Sequence, residues 1–245
     1  MIDVCVLGPS GKMGRAVIEA AKAHDDLRVA STVDLGDDLS RALDACDVYV
    51  DFSAPAATRL AAQAAAPRKR PAVIGTTGLG AADEAALAAL AKVAPIVVAA
   101  NFSLGVNLVL GLARQAARVL GPDWDAEVVE THHGKKRDAP SGTALAIARA
   151  IAAGHGSDYE AVKRHARDGD VGPRPHGEIG VASVRGGDVV GEHVAYFFGP
   201  AERVELAHRA SSRAIFAQGA LRAAAWVVGQ PAGRYDMLDV LGFTR

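Results

Sequence analysis

Over the first hundred residues, short and nearly unbroken apolar runs alternate with alanine-rich stretches. Ile2–Leu7, Val29–Val33, Val48–Phe52, Ala72–Ile74 and Ile96–Ala99 are rich in β-branched residues and have strand length. Between them, Arg15–His24, Ala56–Ala66 and Ala81–Ala94 carry a helical pattern. Strands apolar on both faces, alternating with helices, predict a parallel sheet covered on both sides and joined by right-handed crossovers. The first part of the chain reads as a doubly wound α/β unit.

After Asn101 the rhythm changes. A helix is expected from about Val106 to Leu120, a strand over Glu127–Thr131 and a second helix over Thr143–Ala153. The segment from Gly154 to Gly177, rich in glycine, histidine and charge, reads as a long mobile loop. Ile179–Arg185, Val189–Phe198 and Arg203–Ala210 then read as strands separated by glycine turns, and Phe216–Val228 as a final helix. This half predicts a separate α+β unit on an antiparallel or mixed, mainly four-stranded sheet. One uncharged stretch, Val93 to Ala113, is long enough to cross a bilayer. Pro95, Asn101, Ser103 and Asn107 interrupt it, so it reads as strand, turn and helix.

The 245 residues allow one large domain or two small ones. With 27 Lys and Arg against 28 Asp and Glu, the chain has no overall attraction for nucleic acid or an anionic membrane. The two cysteines, Cys5 and Cys46, sit in apolar surroundings without metal-ligand spacing, and are expected as core thiols in a reducing compartment. The chain opens on a strand with no basic leader, so the expectation is a soluble, cytoplasmic protein.

Two segments carry candidate chemistry. The first, Gly8-Pro9-Ser10-Gly11-Lys12-Met13-Gly14, joins the first strand to the first helix. Glycines there permit a sharp turn and the approach of a pyrophosphate to the helix N-terminus, where free N–H groups and the macrodipole favour an anion. The G-x-x-G-x-x-G spacing departs from the usual dinucleotide fingerprint, but Asp34 at the end of the next strand is placed to accept from an adenosine ribose. A structural turn with a surface aspartate is the alternative. A Walker loop fits poorly, because Met13 follows Lys12 and the glycine gap is short. The turns Gly75-Thr76-Thr77-Gly78 and Ala99-Ala100-Asn101-Phe102 follow the fourth and fifth strands. With the first turn they form one rim at the carboxyl ends of the strands, where open α/β sheets bind ligands.

The second segment is Glu130-Thr131-His132-His133-Gly134-Lys135-Lys136-Arg137-Asp138-Ala139-Pro140-Ser141-Gly142-Thr143. Asp138 and Ser141 are helix-cap residue types, so N–H groups near Gly142 and Thr143 would face an anion, with Lys135 or Lys136 adding charge. A histidine beside them can act as acid or base near neutral pH. Three other readings stay open on the residues alone. These are a zinc site, which lacks a Cys or carboxylate at ligand spacing; a nucleic-acid patch, which lacks interleaved aromatics; and a capped helix with solvated charges.

The stretch E-T-H-H-G-K-K-R-D-A-P-S-G-T resembles the E-x-H-H-x-x-K-x-D-A-P-S-G-T signature of the dihydrodipicolinate reductase family. GPSGKMG, DFSAP, GTTG, AANFSLGVN, SVRGGDVVGEH, AHRASSRAIFAQGA and YDMLDVLGF follow the same family in order. The resemblance implies reduction of a cyclic dicarboxylate, 4-hydroxy-tetrahydrodipicolinate, by NADH or NADPH in lysine and diaminopimelate synthesis. It implies a discontinuous Rossmann-like cofactor domain (residues 1–103 and 213–245), a substrate and oligomerisation domain (104–212), a hinge that closes over the substrate, and a homotetramer. By matching positions it assigns His132 as proton donor and acceptor and Lys136 as the second catalytic group. His133, Gly142, Thr143 and Arg213 would bind substrate, with Phe216 beside them. Gly8, Pro9, Ser10, Gly11, Lys12, Met13, Asp34, Gly75, Thr76, Thr77, Ala99, Ala100, Asn101 and Phe102 would hold the cofactor. No metal, nucleic acid or membrane partner is implied.

In many members of that family Arg follows the acid after the second strand, but here Leu35 follows Asp34. An acid without a basic neighbour favours the free ribose of NADH, although Lys12 could still reach a 2′-phosphate. Two rival functions are weaker. A semialdehyde dehydrogenase needs a cysteine nucleophile near the His-His-Lys segment, and a non-catalytic NAD(P)-binding redox sensor has no use for that segment.

Overall fold

In the computed structural model, residues 1–243 are described, and the chain forms two compact units. One comprises Met1–Leu104 together with the chain from Ala214 onward; the other comprises Gly105–Arg213.

The first unit begins β1 (Ile2–Leu7), α1 (Lys12–Ala21), β2 (Leu27–Val33), α2 (Leu39–Asp44) and β3 (Val48–Asp51). It continues with α3 (Pro55–Ala65), β4 (Ala72–Ile74), α4 (Ala81–Ala91) and β5 (Pro95–Val98). The chain leaves through α5 (Leu104–Leu120) and builds the second unit from β6 (Asp125–His132), α6 (Gly142–His155), α7 (Tyr159–Val162), β7 (Lys163–Arg164), β8 (Ile179–Arg185), β9 (Gly191–Gly199) and β10 (Glu202–Ala210). It re-enters the first unit with α8 (Ala214–Val227), β11 (Gly233–Tyr235) and α9 (Met237–Val240).

The first sheet runs β11-β5-β4-β3-β1-β2, with every pair parallel. Strand residues alternate between two cores, which explains their unbroken apolar runs. Val4, Val6, Val48 and Val50 pack with Val17 of α1, Ala220, Leu221 and Ala224 of α8 and Val240 of α9. Cys5, Leu7, Tyr49 and Ile74 face the opposite side, against Leu43 of α2, Ala61 and Ala65 of α3 and Leu87 and Leu90 of α4. Gly219 on α8 is required by that packing, since a Cβ there would lie 1.7 Å from the Phe102 carbonyl oxygen. Both cysteines are buried free thiols.

The second sheet, β10-β9-β6-β8-β7, is mixed: β6 pairs parallel with β8 and antiparallel with β9. One face is covered. Val109 and Ala113 of α5 and Ile147 and Ile151 of α6 pack on Ala126, Val128, Ile179, Val181, Ala195 and Phe197. The expected four strands are joined at the edge by the two-residue β7. The segment expected as a long loop thus holds two elements. Tyr159 of α7 is buried in the core of this unit, which orders a stretch whose composition suggests a loop. The uncharged stretch around Asn101 forms β5, a turn and the start of α5, and among the described residues no helix is long and apolar enough to cross a membrane.

Candidate active site

The parallel sheet places the turns after β1, β4 and β5 at one edge. Gly8 takes a left-handed conformation (φ 69°), and its N–H donates to the Val33 carbonyl of β2 (2.9 Å). Gly14, in the first turn of α1, must lack a side chain, because a Cβ would stand 2.1 Å from the Gly8 oxygen. The helix starts at Gly11 with no side-chain cap and no acid in its first turn, leaving its N–H end open to an anion. Asp34 is exposed, and the Ser10 hydroxyl and the Leu35 N–H hold its carboxyl below the ordinary range. A cavity of about 260 Å³ lies beside it, lined by Leu7, Gly8, Asp34, Leu35, Ser53 and Leu60 among others. An uncapped helix end on a turn too tight for a Cβ, with a ribose-type acceptor at the next strand, fits a dinucleotide.

The other two turns are tied to this edge by β3. Asp51, fully buried at its end, accepts the hydroxyls of Ser53 (2.5 Å), Thr58 (2.6 Å) and Thr76 (3.3 Å). Gly75 abuts the Phe52 ring, where a Cβ would come within 2.0 Å. Ala99 donates its N–H to the Ile74 carbonyl, and Asn101 accepts from the Ser103 N–H (2.8 Å). Of the expected rim residues, Ser10, Gly11, Lys12, Thr77 and Ala100 are exposed, Pro9, Met13, Gly75, Ala99 and Asn101 half-buried, and Thr76 and Phe102 buried. Phe102 stacks edge-on against Phe52 within the first unit, so its side chain builds the rim from beneath.

The second unit gathers a different set. Alternation along β6 puts Ala126, Val128, Glu130 and His132 on the covered face of the sheet. Glu130 and His132 continue the row of core side chains with ionisable groups. Across the ladders Glu130 pairs with His193 of β9, and His132 with Arg185 of β8. Arg185 grips the Glu130 carboxylate with two N–H groups, each at 2.8 Å. Burial would raise the Glu130 carboxyl, but Arg185, Ser183, His132 and the Ser141 N–H outweigh it and bring it down to about 2. Nδ1 of His132 lies 2.5 Å from Oε2 of Glu130. Since that carboxylate can only accept, Nδ1 carries the hydrogen and donates it.

His193 stands edge-on to His132 (ring centroids 5.2 Å apart), with Nε2 3.2 Å from Oγ of Ser141. Burial, reinforced by the neighbouring His132, lowers His193 to about 4, so it stays neutral at physiological pH. Ser141 caps α6, its Oγ accepting from the Ala144 N–H (3.1 Å), which puts Gly142 and Thr143 in the first turn. The expectation for Asp138 as a cap is replaced by another role. Its carboxylate receives Nζ of Lys136 at 2.9 Å on both oxygens. His133 follows, with its N–H on the Val189 carbonyl (2.8 Å).

His132, Lys136, His133, Gly142 and Thr143 thus lie on β6, its outgoing loop and the start of α6. Arg213 lies outside that network, exposed in the turn between β10 and α8, and Phe216 lies in α8 of the first unit. Three residues of the network had no role in the sequence reading: Glu130, Arg185 and His193. One signal pointed to them. An acid at an inward position of an apolar-alternating strand, two residues before a histidine, requires a cationic partner. The sequence does not say which Arg supplies it. Among the described residues no group of three His, Cys, Asp or Glu could hold a metal.

Similarity to known proteins agrees with this division. A family model described as dihydrodipicolinate reductase, N-terminus, matches residues 2–102, and one described as dihydrodipicolinate reductase, C-terminus, matches residues 105–241. The 4-hydroxy-tetrahydrodipicolinate reductase of Akkermansia muciniphila is 46% identical over 245 residues, covering 100% of both chains. That of Geobacter metallireducens is 42% identical, covering 99% of each. A dipicolinate-bound dihydrodipicolinate reductase from Paenisporosarcina sp. TG-14 shares the fold with a TM-score of 0.79 at 24% identity, covering 98% of each chain. With both family models matched in order along nearly the whole length, and the buried histidine–glutamate pair at the heart of the signature segment, the chain belongs to the dihydrodipicolinate reductase family.

Proposed function

We propose that this chain reduces 4-hydroxy-tetrahydrodipicolinate at the expense of NADH or NADPH, with the first unit holding the dinucleotide and the second the substrate. One observation carries the reading. His132 is buried at a strand end with Nδ1 committed to a carboxylate, which leaves Nε2 for the substrate, on the segment that also carries Lys136 and leads into a capped helix start.

When bound, the nicotinamide supplies a hydride. Gly8 to Met13 would hold the pyrophosphate and Asp34 the ribose hydroxyls, with Gly75 to Thr77 and Ala99 to Phe102 completing the rim. The first-turn N–H groups of Gly142 and Thr143, with His133 and Arg213, neutralise the two substrate carboxylates. Lys136 stabilises negative charge that develops on the substrate, exchanging Asp138 for it. Hydride addition would leave electron density on the substrate; the His132 imidazolium gives its Nε2 proton to it and is left as the neutral ring with the hydrogen on Nδ1.

Leu35 is fully exposed beside the anionic Asp34, which supports a preference for NADH over a 2′-phosphorylated cofactor. Val184, Val194, Tyr196 and Phe198 lie on the second sheet's uncovered face, with Tyr196 and Phe198 stacked (5.6 Å). They support a homotetramer, and Phe198→Asp should shift light scattering to a smaller species. The buried free thiols suit a reducing cytoplasm.

A coupled assay tests the activity. Dihydrodipicolinate synthase generates the substrate from pyruvate and aspartate semialdehyde, and NADH and NADPH oxidation are followed in parallel. Substrate-dependent oxidation, faster with NADH, is expected. Tight binding of both cofactors without turnover would replace this reading with that of a sensor.

A further inference from the structure

The Glu130 side chain is held by donors on every side. It is fully buried: Oε1 accepts from Arg185 (2.8 Å) and the Ser141 N–H (3.1 Å), Oε2 from Arg185 (2.8 Å) and His132 (2.5 Å), and the Ser183 side chain is a further donor. An ionised carboxylate has about four lone-pair sites, so this ring of donors fixes its orientation. A buried acid is costly without a matched cation, and the two-pronged guanidinium supplies one. Arg185 is itself held by the Asp138 carbonyl (2.8 Å).

The consequence reaches His132. A neutral imidazole has one donor and one acceptor nitrogen. With the hydrogen on Nε2, the Nδ1 lone pair would oppose Oε2 at 2.5 Å, two acceptors in contact. We propose that Glu130, clamped by Arg185, is a positioning residue that holds His132 as the Nδ1–H tautomer and so assigns proton transfer to Nε2. This rests on the reading of His132 as the proton donor. Glu130 from β6 and His193 from β9 lie against the ring, and Arg185, the ladder partner of His132 on β8, is bonded to Glu130. Of these, Glu130 is the one bonded to the ring itself. Two backbone bonds hold the imidazole's attachment: Gly186 N–H donates to the His132 carbonyl (3.0 Å) and His133 N–H to that of Val189 (2.8 Å).

A purely structural Glu130 would bracket β6, β8 and the start of α6, and its loss would lower stability without touching the imidazole. The two roles are separated on the full-length protein labelled with 15N-histidine. In the wild type, long-range 1H–15N correlations should show His132 protonated at Nδ1. In Glu130→Gln the side-chain amide can donate to Nδ1, so the Nε2–H form should appear. There kcat should fall about 10- to 1000-fold while KM for NADH stays within twofold. Arg185→Lys keeps a charge but loses the fork, and should give a smaller loss of the same kind. The double variant E130Q/H132A should be no slower than H132A, because the two side chains act as one device.

A wild-type spectrum in which the neutral His132 ring carries its hydrogen on Nε2 and none on Nδ1 overturns the proposal without recourse to any variant. So does a folded E130Q with wild-type kcat, or a double variant that loses the full E130Q factor on top of H132A. The underlying reading fails separately: if H132A alone turns over normally, His132 is not the acid, whatever its tautomer.

Discussion

The rim of the first unit is shaped by atoms that are missing, whereas the centre of the second depends on charges that are matched. At the rim, Gly14 and Gly75 leave room that a single carbon would fill, at 2.1 Å from a backbone oxygen and 2.0 Å from an aromatic ring. What that turn offers a ligand, the uncapped start of α1, is backbone N–H, so chain shape matters there more than side-chain identity. In the second unit the side chains of Arg185, Glu130 and His132 are bonded in sequence, and Ser141 joins them to His193 through its backbone N–H on Glu130 and its hydroxyl on His193. Shape failures should therefore appear as lost cofactor affinity, and charge failures as lost turnover.

The sharpest test of that difference is His132→Ala or Lys136→Ala. Each should cost about 100- to 10,000-fold in kcat, with the dissociation constant for NADH, read by fluorescence titration, changed less than twofold. A large loss of NADH affinity in either would break the comparison. Gly14→Ala is the converse. Overpacking against Gly8 should cost about 1–3 kcal/mol, lower the thermal midpoint and weaken NADH binding about tenfold, with kcat at saturating cofactor close to wild type.

Leu35→Arg adds a cation beside Asp34 and should move the NADPH/NADH ratio of kcat/KM upward by about tenfold. Unchanged discrimination would remove Leu35 from the account of cofactor choice.

The remaining effects are in acid stability, and they belong to the second unit. His193 is neutral in the native state down to about 4, while an unfolded histidine protonates near 6.5. The unfolded chain then binds the extra proton, so stability should fall as pH drops from about 6.5 to 4. Glu130 stays ionised to about 2 when folded, whereas the unfolded side chain protonates near 4.3. Its contribution is complete above that value and should be lost between about 4 and 2. Denaturant midpoints measured against pH should lose the upper slope in His193→Gln and the lower one in Glu130→Gln.

Much of this was legible in the chain because the signals are local. Period-2 and period-3.6 patterns need only neighbours, and they placed Ile2–Leu7, Ala72–Ile74 and Ile179–Arg185 to the residue. Short elements that lack an apolar run of their own, unlike Ala72–Ile74, were not legible. β11 is three residues and forms by pairing with β5, while α2, α7, β7 and α9 are shorter than two helical turns or a strand repeat. The Gly-rich turns and the Ser141 cap were readable for the same local reason.

By itself, then, the sequence determined the α/β character of the first unit, the mixed sheet of the second, the glycine rim and the signature segment holding His132 and Lys136. Tertiary structure alone decided which nitrogen of His132 is free. That depends on strand register, which brings Arg185 to Glu130 from 55 positions away and sets His193 opposite the same carboxylate. Register is a property of the assembled sheet: a one-residue slip would turn Glu130 and His132 to its other face. No local pattern carries that information, because the groups that meet at Glu130 come from separate strands.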